Sequence, residues 1–197
     1  MKPTSSAPRE LPIVDFARQA DWASWLEKHH ETSPGLWLRL AKKASGLSSV
    51  SYEQAVEAAL CFGWIDGQKA SQDDRAWLQK FTPRRPRSIW SKINRDRVDR
   101  LVVGGQMRPA GLRAVEQAKQ NGQWDAAYDS PRGATAPPDF QAALDESKPA
   151  AAFFATLNSA NRYAILWRIQ TAKKPETRAK RVHDFIEMLK RKEKLYP

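Results

Sequence analysis

An α+β fold is predicted, with a small antiparallel sheet among helices in the N-terminal half and a helical C-terminal region packed against it. Three observations carry the prediction. Leu36-Trp37-Leu38-Arg39-Leu40 alternates, which puts three leucines on one face of a strand. Two strand-like runs, 64–70 and 76–81, flank the polar turn Ser71-Gln72-Asp73-Asp74, a hairpin pattern. Beyond residue 88 the apolar spacing is helical, most cleanly at Val182, Phe185, Ile186 and Leu189.

The elements follow in order. Residues 1–14 read as a flexible, Pro/Ser-rich start. Asp21 to His30 reads as a short helix with Asp21 as its N-cap and Trp22, Trp25 and Leu26 on one side. Pro34-Gly35 breaks the chain before the leucine strand. Ser51-Tyr52-Glu53-Gln54 is a capping-box pattern, and the helix it opens runs through Val56, Leu60 and Phe62 to a stop at Gly63. After the hairpin, Pro83 and Pro86 cannot continue a central strand, because proline has no ladder donor. Ser88 is then the expected cap of a helix ended by Gly104-Gly105, and Pro109 opens a second one ended by Gly122. This α+β domain with its basic helical pair is assigned to 15–128. A Pro/Ala-rich connector is assigned to 129–148 and a helical region to 149–197.

The chain has 197 residues, of which 33 are Lys or Arg and 22 Asp or Glu, for a net charge of +11. Hydrophobic residues make up 41%, enough for a packed core. No apolar run approaches the roughly 20 residues of a spanning helix, and the N-terminus lacks the apolar centre of a secretory signal. A cytoplasmic location is therefore expected. The single cysteine, Cys61, excludes an internal disulfide and reads as a small buried hydrophobe. The charge is uneven: residues 1–81 are neutral, 82–123 carry +7, 124–160 carry −3 and 161–197 carry +7. Two basic blocks flank an acidic connector, so an anionic partner is a reasonable expectation.

Five strings carry a family resemblance. They are Leu60-Cys61-Phe62-Gly63-Trp64-Ile65-Asp66-Gly67-Gln68, Phe81-Thr82-Pro83-Arg84-Arg85-Pro86, Trp90-Ser91-Lys92-Ile93-Asn94-Arg95, Asn161-Arg162-Tyr163-Ala164-Ile165-Leu166-Trp167, and Gln170 to Arg178. In this order they resemble the YdeI/OmpD-associated family, also labelled bacteriocin-protection proteins, over nearly the whole chain from Trp22. The resemblance implies a link to envelope stress or to resistance against bacteriocins and cationic peptides. It brings no agreed catalytic residues.

Read from the residues themselves, the first candidate site is an anion-binding surface at Arg84, Arg85, Arg87, Ser88 and Trp90. The arginines are expected just before a helix N-terminus, where exposed N–H groups favour anions and guanidinium forks match phosphate or carboxylate. The competing reading is a proline-stiffened connector whose arginines pair with Asp66, Asp73 or Asp74. A possible pocket comprises Trp64, Asp66, Gly67, Asn161 and Arg162, since a carboxylate among apolar neighbours needs a partner. A second basic patch comprises Lys173, Lys174, Arg178 and Arg181, against which stands the plainer reading of a solvated helix face. Along 92–100, the i,i+4 pairs Lys92–Asp96, Arg95–Asp99 and Asp96–Arg100 suit a solvated face as well. No metal site, cofactor motif or catalytic constellation is evident. The function expected is that of a non-enzymatic stress- or resistance-associated protein with an anion-binding surface. The alternatives are a nucleic-acid-associated protein using both basic blocks and an enzyme acting on a small anionic substrate.

Overall fold

A computed structural model describes residues 11–131 and 133–197, and among these residues it holds four strands and eight helices, an α+β structure. The chain divides into two compact units. One comprises the chain up to Ser88 together with Asp96–Trp124, the other Ile89–Arg95 together with Asp125–Pro197. The flexible start expected at 1–14 falls mostly on residues 1–10, which lie outside the described residues; Ile13–Val14 forms strand β1.

The first unit continues with α1 (Gln19–His29), β2 (Leu36–Ala41), α2 (Tyr52–Cys61), β3 (Trp64–Ser71) and β4 (Ala76–Pro83). The sheet order is β1-β2-β4-β3. β4 runs antiparallel to both neighbours, but β1 is parallel to β2, so the sheet is mixed rather than purely antiparallel. The reason is the connection: α1 carries the chain back across, and a helical crossover joins parallel strands. Strand β4 is central yet ends in proline. Its pairing with β2 stops at Phe81, so Pro83 lies beyond that ladder and faces Trp64 alone.

The capping box at Ser51 and Gln54 forms in both directions, at 3.2 and 3.0 Å. Asp21 does not cap α1. The helix begins at Gln19, and Asp21 sits in its first turn with its carboxylate on the Arg18 guanidinium at 2.7 and 3.0 Å. Leu36, Leu38 and Leu40 face the core, where Trp22 stacks on Trp25 at 5.4 Å and meets Trp64 edge-on at 6.1 Å. Both buried indole N–H groups are satisfied: Trp22 donates to the Ala55 carbonyl and Trp64 to the His30 carbonyl, each at 3.1 Å.

Helix α3 (Lys92–Val103) has its first turn in the second unit and the rest in the first, followed there by α4 (Pro109–Gln120). Its cap is Ser91, whose hydroxyl accepts from the Asn94 N–H at 3.2 Å, and not Ser88. The correction has a backbone cause. Trp90 and Ser91 are held extended against Tyr128, whose N–H donates to the Trp90 carbonyl at 3.0 Å, so the helix cannot start earlier.

The second unit is otherwise helical: α5 (Pro138–Glu146), α6 (Lys148–Thr156), α7 (Ser159–Gln170) and α8 (Pro175–Lys190). About half of the assigned connector is therefore the helix α5. Phe140, Leu144, Ile165 and Ile169 form the core with Phe185, Ile186 and Leu189 from the apolar stripe of α8, and Val182 packs at its margin. Among the described residues no helix is long and apolar enough to cross a membrane.

Candidate functional site

In the first unit, a cleft of about 500 Å³ opens where the end of α2, the start of β3, the end of β4 and one face of α4 converge. Glycines make the convergence possible. Gly63 terminates α2 at φ +74°, and a Cβ there would lie 2.9 Å from the Ala110 carbonyl oxygen. Gly111 lets α4 press on the open end of α2, where the Arg108 N–H donates to the Cys61 carbonyl at 3.1 Å. The Arg84 N–H donates to the Gly63 carbonyl at 2.9 Å, which fixes Arg84 in the wall, with its Nε and Nη2 buried.

The apolar lining is Phe62, Trp64 and Pro83, and the polar residues of the lining are His30, Glu31, Arg84, Arg113 and Gln117. The His30 Nδ1 lies 2.9 Å from the Leu26 carbonyl oxygen. A carbonyl can only accept, so this bond assigns the proton to Nδ1 and leaves Nε2 toward Glu31 at 3.7 Å. Glu31 also receives Arg113 at 3.4 Å, and both side chains are about two-thirds exposed, at 70% and 66%. A pair that open is weak, so the Arg113 fork can exchange this carboxylate for another anion at little cost.

Of the sequence-derived candidates, the structure brings Arg84 and Trp64 into this one cleft, although the sequence assigns them to separate groups. Arg85 and Arg87 are exposed on a closed turn in which the Ser88 hydroxyl accepts from the Arg85 N–H at 3.0 Å. Because α3 begins only at Lys92, no helix N-terminus directly follows these arginines. Trp90 belongs to the second unit and is buried there. Asp66 accepts from the Tyr52 hydroxyl at 2.7 Å, and Asp73 takes Arg39 at 3.2 Å. Gly67 sits in a bulge of β3 spanned by the buried Gln79, whose amide donates to the Gly67 carbonyl at 2.9 Å. A Cβ on Gly67 would meet nothing nearer than 3.8 Å, so no close backbone approach requires this glycine.

Asn161 and Arg162 lie in the second unit. Asn161 is fully buried and spends its carboxamide on Asn158, Leu195 and Tyr196. Arg162 is exposed, over the Phe154 ring at 5.8 Å. Arg178 holds Asp139 through two bonds of 2.6 and 2.7 Å, and the Arg181 guanidinium donates to the Arg168 carbonyl. Lys173 and Lys174 are exposed. Lys92 reaches Asp129 at 2.6 Å and Arg100 reaches Glu57 at 3.9 Å, each away from its expected i,i+4 partner. Among the described residues no group of three or more His, Cys, Asp or Glu side chains is arranged to hold a metal ion.

Sequence reasoning passed over His30, Glu31, Arg113 and Gln117 as members of one site. A signal was present: Ala110, Arg113, Ala114 and Gln117 follow i, i+3, i+4, i+7 spacing, a small-and-polar stripe on one face of α4.

Residues 14–114 match the family model of a domain of unknown function (DUF8412), and residues 134–192 match the model described as bacteriocin-protection, YdeI or OmpD-associated. The chain belongs to the DUF8412 family, and its residues 134–192 carry the YdeI/OmpD-associated match. No curated protein and no solved structure matches it. The two models divide the five strings. The first three fall under the DUF8412 match and the last two under the YdeI/OmpD-associated one, which is a narrower span than the resemblance implied. The cleft of the first unit, except for Gln117, lies within the DUF8412 match.

The YdeI/OmpD-associated stretch supplies Tyr163 and Gln170 to a polar cluster in the second unit, centred on Asp129. The Gln170 amide donates to one Asp129 carboxylate oxygen at 2.8 Å, Lys92 binds the other at 2.6 Å, and the Tyr163 hydroxyl donates to the Asp129 carbonyl at 3.3 Å. Burial first, then the neighbouring Tyr128 and Asp129, push the Tyr163 hydroxyl up to about 12, so it stays a donor. This cluster secures the 90–95 segment to the second unit.

Proposed function

We propose that this chain is a binding protein for a small anion bearing a carboxylate or phosphate group, held in the cleft of the first unit. The observation that carries the reading is Arg113, in an open pair with Glu31, lining one cleft with His30 and Gln117. The Arg113 guanidinium supplies directional donors for a planar carboxylate or a phosphate, the Gln117 amide adds a neutral one, and Arg84, its Nε and Nη2 buried in the wall, adds positive charge. Phe62, Trp64 and Pro83 exclude water from one side, which strengthens each polar contact. Binding begins with Arg113 leaving Glu31 for the ligand, so the carboxylate serves as a placeholder until the ligand arrives. The stress or resistance role that the family description suggests would rest on binding of this kind rather than on bond-making.

Calorimetric titration of the full chain with inorganic phosphate and with succinate tests the reading. Saturable binding to one of them, weakened about tenfold or more in Arg113→Ala, supports it. Equal affinity in wild type and Arg113→Ala overturns it. Titration with a short DNA duplex separates the nucleic-acid alternative, which requires binding that falls steeply with salt and depends on Arg85 and Arg87.

A further inference from the structure

Helices α3 and α4 lie side by side in the first unit and leave a groove of about 460 Å³ between them. Its floor is apolar and packed: Val98, Val115 and Trp124 are each at most 7% exposed. Its lip is apolar and open, with Val102 48%, Val103 90% and Leu112 45% exposed. Three large aliphatic side chains in water beside an apolar floor mark an interaction surface rather than scattered surface residues. The lining runs over Val98–Val103 of α3 and Leu112–Lys119 of α4, about 9 to 12 Å at 1.5 Å per residue, so the groove suits about two turns of a third helix.

The charge around the groove selects the occupant. Asp99, Glu116 and Lys119 line it, and the lysine is turned over the Trp124 ring at 5.7 Å. Among the described residues Asp99 has no ion-pair partner, and Glu116 accepts from the neutral Gln120 amide at 3.0 Å. The lining is therefore net negative in a protein of net charge +11. A second copy of this chain would bring two such linings together and set carboxylate against carboxylate. A helix with lysines or arginines beside its apolar stripe would instead pair with Asp99 and Glu116 while covering Val102, Val103 and Leu112.

We propose that the α3–α4 groove docks an amphipathic, basic helix from another protein. The site is separate from the anion cleft and does not depend on that reading.

The test uses the full chain and two labelled synthetic helical peptides with the same leucine stripe at i, i+3/i+4 and i+7. One carries lysines beside the stripe, the other glutamates. The net positive charge of the rest of the protein repels the lysine peptide elsewhere, which makes it a selective probe. The expected result by fluorescence anisotropy is lysine-peptide binding at least about tenfold tighter than glutamate-peptide binding. It should fall about tenfold in Val103→Glu and in Leu112→Glu, and fall again in Asp99→Asn. Val103 is exposed enough that its substitution leaves the fold intact, and circular dichroism of the variant checks this. The proposal is overturned by three results: no binding of the lysine peptide, equal binding of both peptides, or binding indifferent to Val103→Glu. It is equally overturned if sedimentation shows self-association that Val103→Glu abolishes, since the groove is then filled by a second copy.

Discussion

Asn161 and Tyr196 form a two-way hydrogen-bonded pair. The Asn161 carboxamide oxygen accepts the Tyr196 backbone N–H at 2.9 Å, and its nitrogen donates to the Tyr196 carbonyl at 3.2 Å. The same oxygen also accepts from the Leu195 N–H at 3.0 Å. A fully buried asparagine with every polar atom engaged is a structural clasp, and its place in a ligand pocket gives way to that role. Asn161→Ala strands two backbone N–H groups and a carbonyl, which should cost about 2–4 kcal/mol. Hydrogen exchange should show the Leu195 and Tyr196 amides losing protection first. Unchanged protection would mean that the segment is held by other contacts.

Gly111 and Gly63 make the cleft, and their substitution should be far more costly than that of an unconstrained glycine. A Cβ on Gly111 would stand 2.7 Å from the Leu60 carbonyl oxygen and overlap the Cys61 carbonyl, both of them backbone atoms that cannot swing away. Gly111→Ala should therefore destabilise the first unit by about 2–4 kcal/mol as α4 lifts from α2. Gly46→Ala is the control. Unlike Gly111 it has a positive φ, +70°, but open space around it, so only the local strain of about 1 kcal/mol applies. Thermal unfolding of the two variants side by side decides the matter. Equal losses would show that the close approach of α4 to α2 costs no more than local backbone strain.

These glycines also show what was legible in the sequence and what was not. Periodicity and capping are local, so the leucine strand, the Ser51–Gln54 box, the Gly63 stop and the stripe of α8 could be read from the residues. The start of α3 could not. Ser88 and Ser91 both suit a cap, and the choice falls to Tyr128, nearly forty residues on, which holds Trp90 and Ser91 extended. The mixed sheet was hidden for a similar reason, because a two-residue strand such as β1 has no period to detect. The site was half legible. Arginine chemistry singled out Arg84, while Arg113 and His30 become its neighbours only through the packing that Gly63 and Gly111 allow.

The Arg178–Asp139 fork gives the second unit an acid-sensitive component. The Arg178 guanidinium, with the hydrogen bonds it donates, holds the Asp139 carboxyl below its ordinary value. A carboxyl depressed in the folded state stabilises fully above its unfolded value, about 3.9, and loses that contribution as pH falls through the lower folded value. Asp139→Asn should therefore lower stability at neutral pH, and the gap to wild type should close below about pH 4. The gap should be on the order of 1 kcal/mol or less, since Asp139 is 43% exposed. Urea unfolding at neutral pH and at pH 3 tests this. A gap that persists in acid would assign the effect to packing rather than charge.

Cys61 should be nearly inert in the native protein. Its thiol lies at the end of α2, 7% exposed. Burial pushes it up to about 11, with nearby Arg108 drawing it down and Glu57 adding to the rise. The thiolate is the reactive form, and an unperturbed cysteine ionises near 8.5, so at pH 8 the native thiolate fraction is lower by about two orders of magnitude. Alkylation by iodoacetamide should be slower than in urea by at least that factor. Glu57→Gln should speed the native reaction by removing a like charge, and Arg108→Ala should slow it by removing the opposing one. Native alkylation at the unfolded rate would show that the end of α2 opens readily. Because Gly111 packs α4 against that same turn, such an outcome would also weaken the case for a preformed cleft beside it.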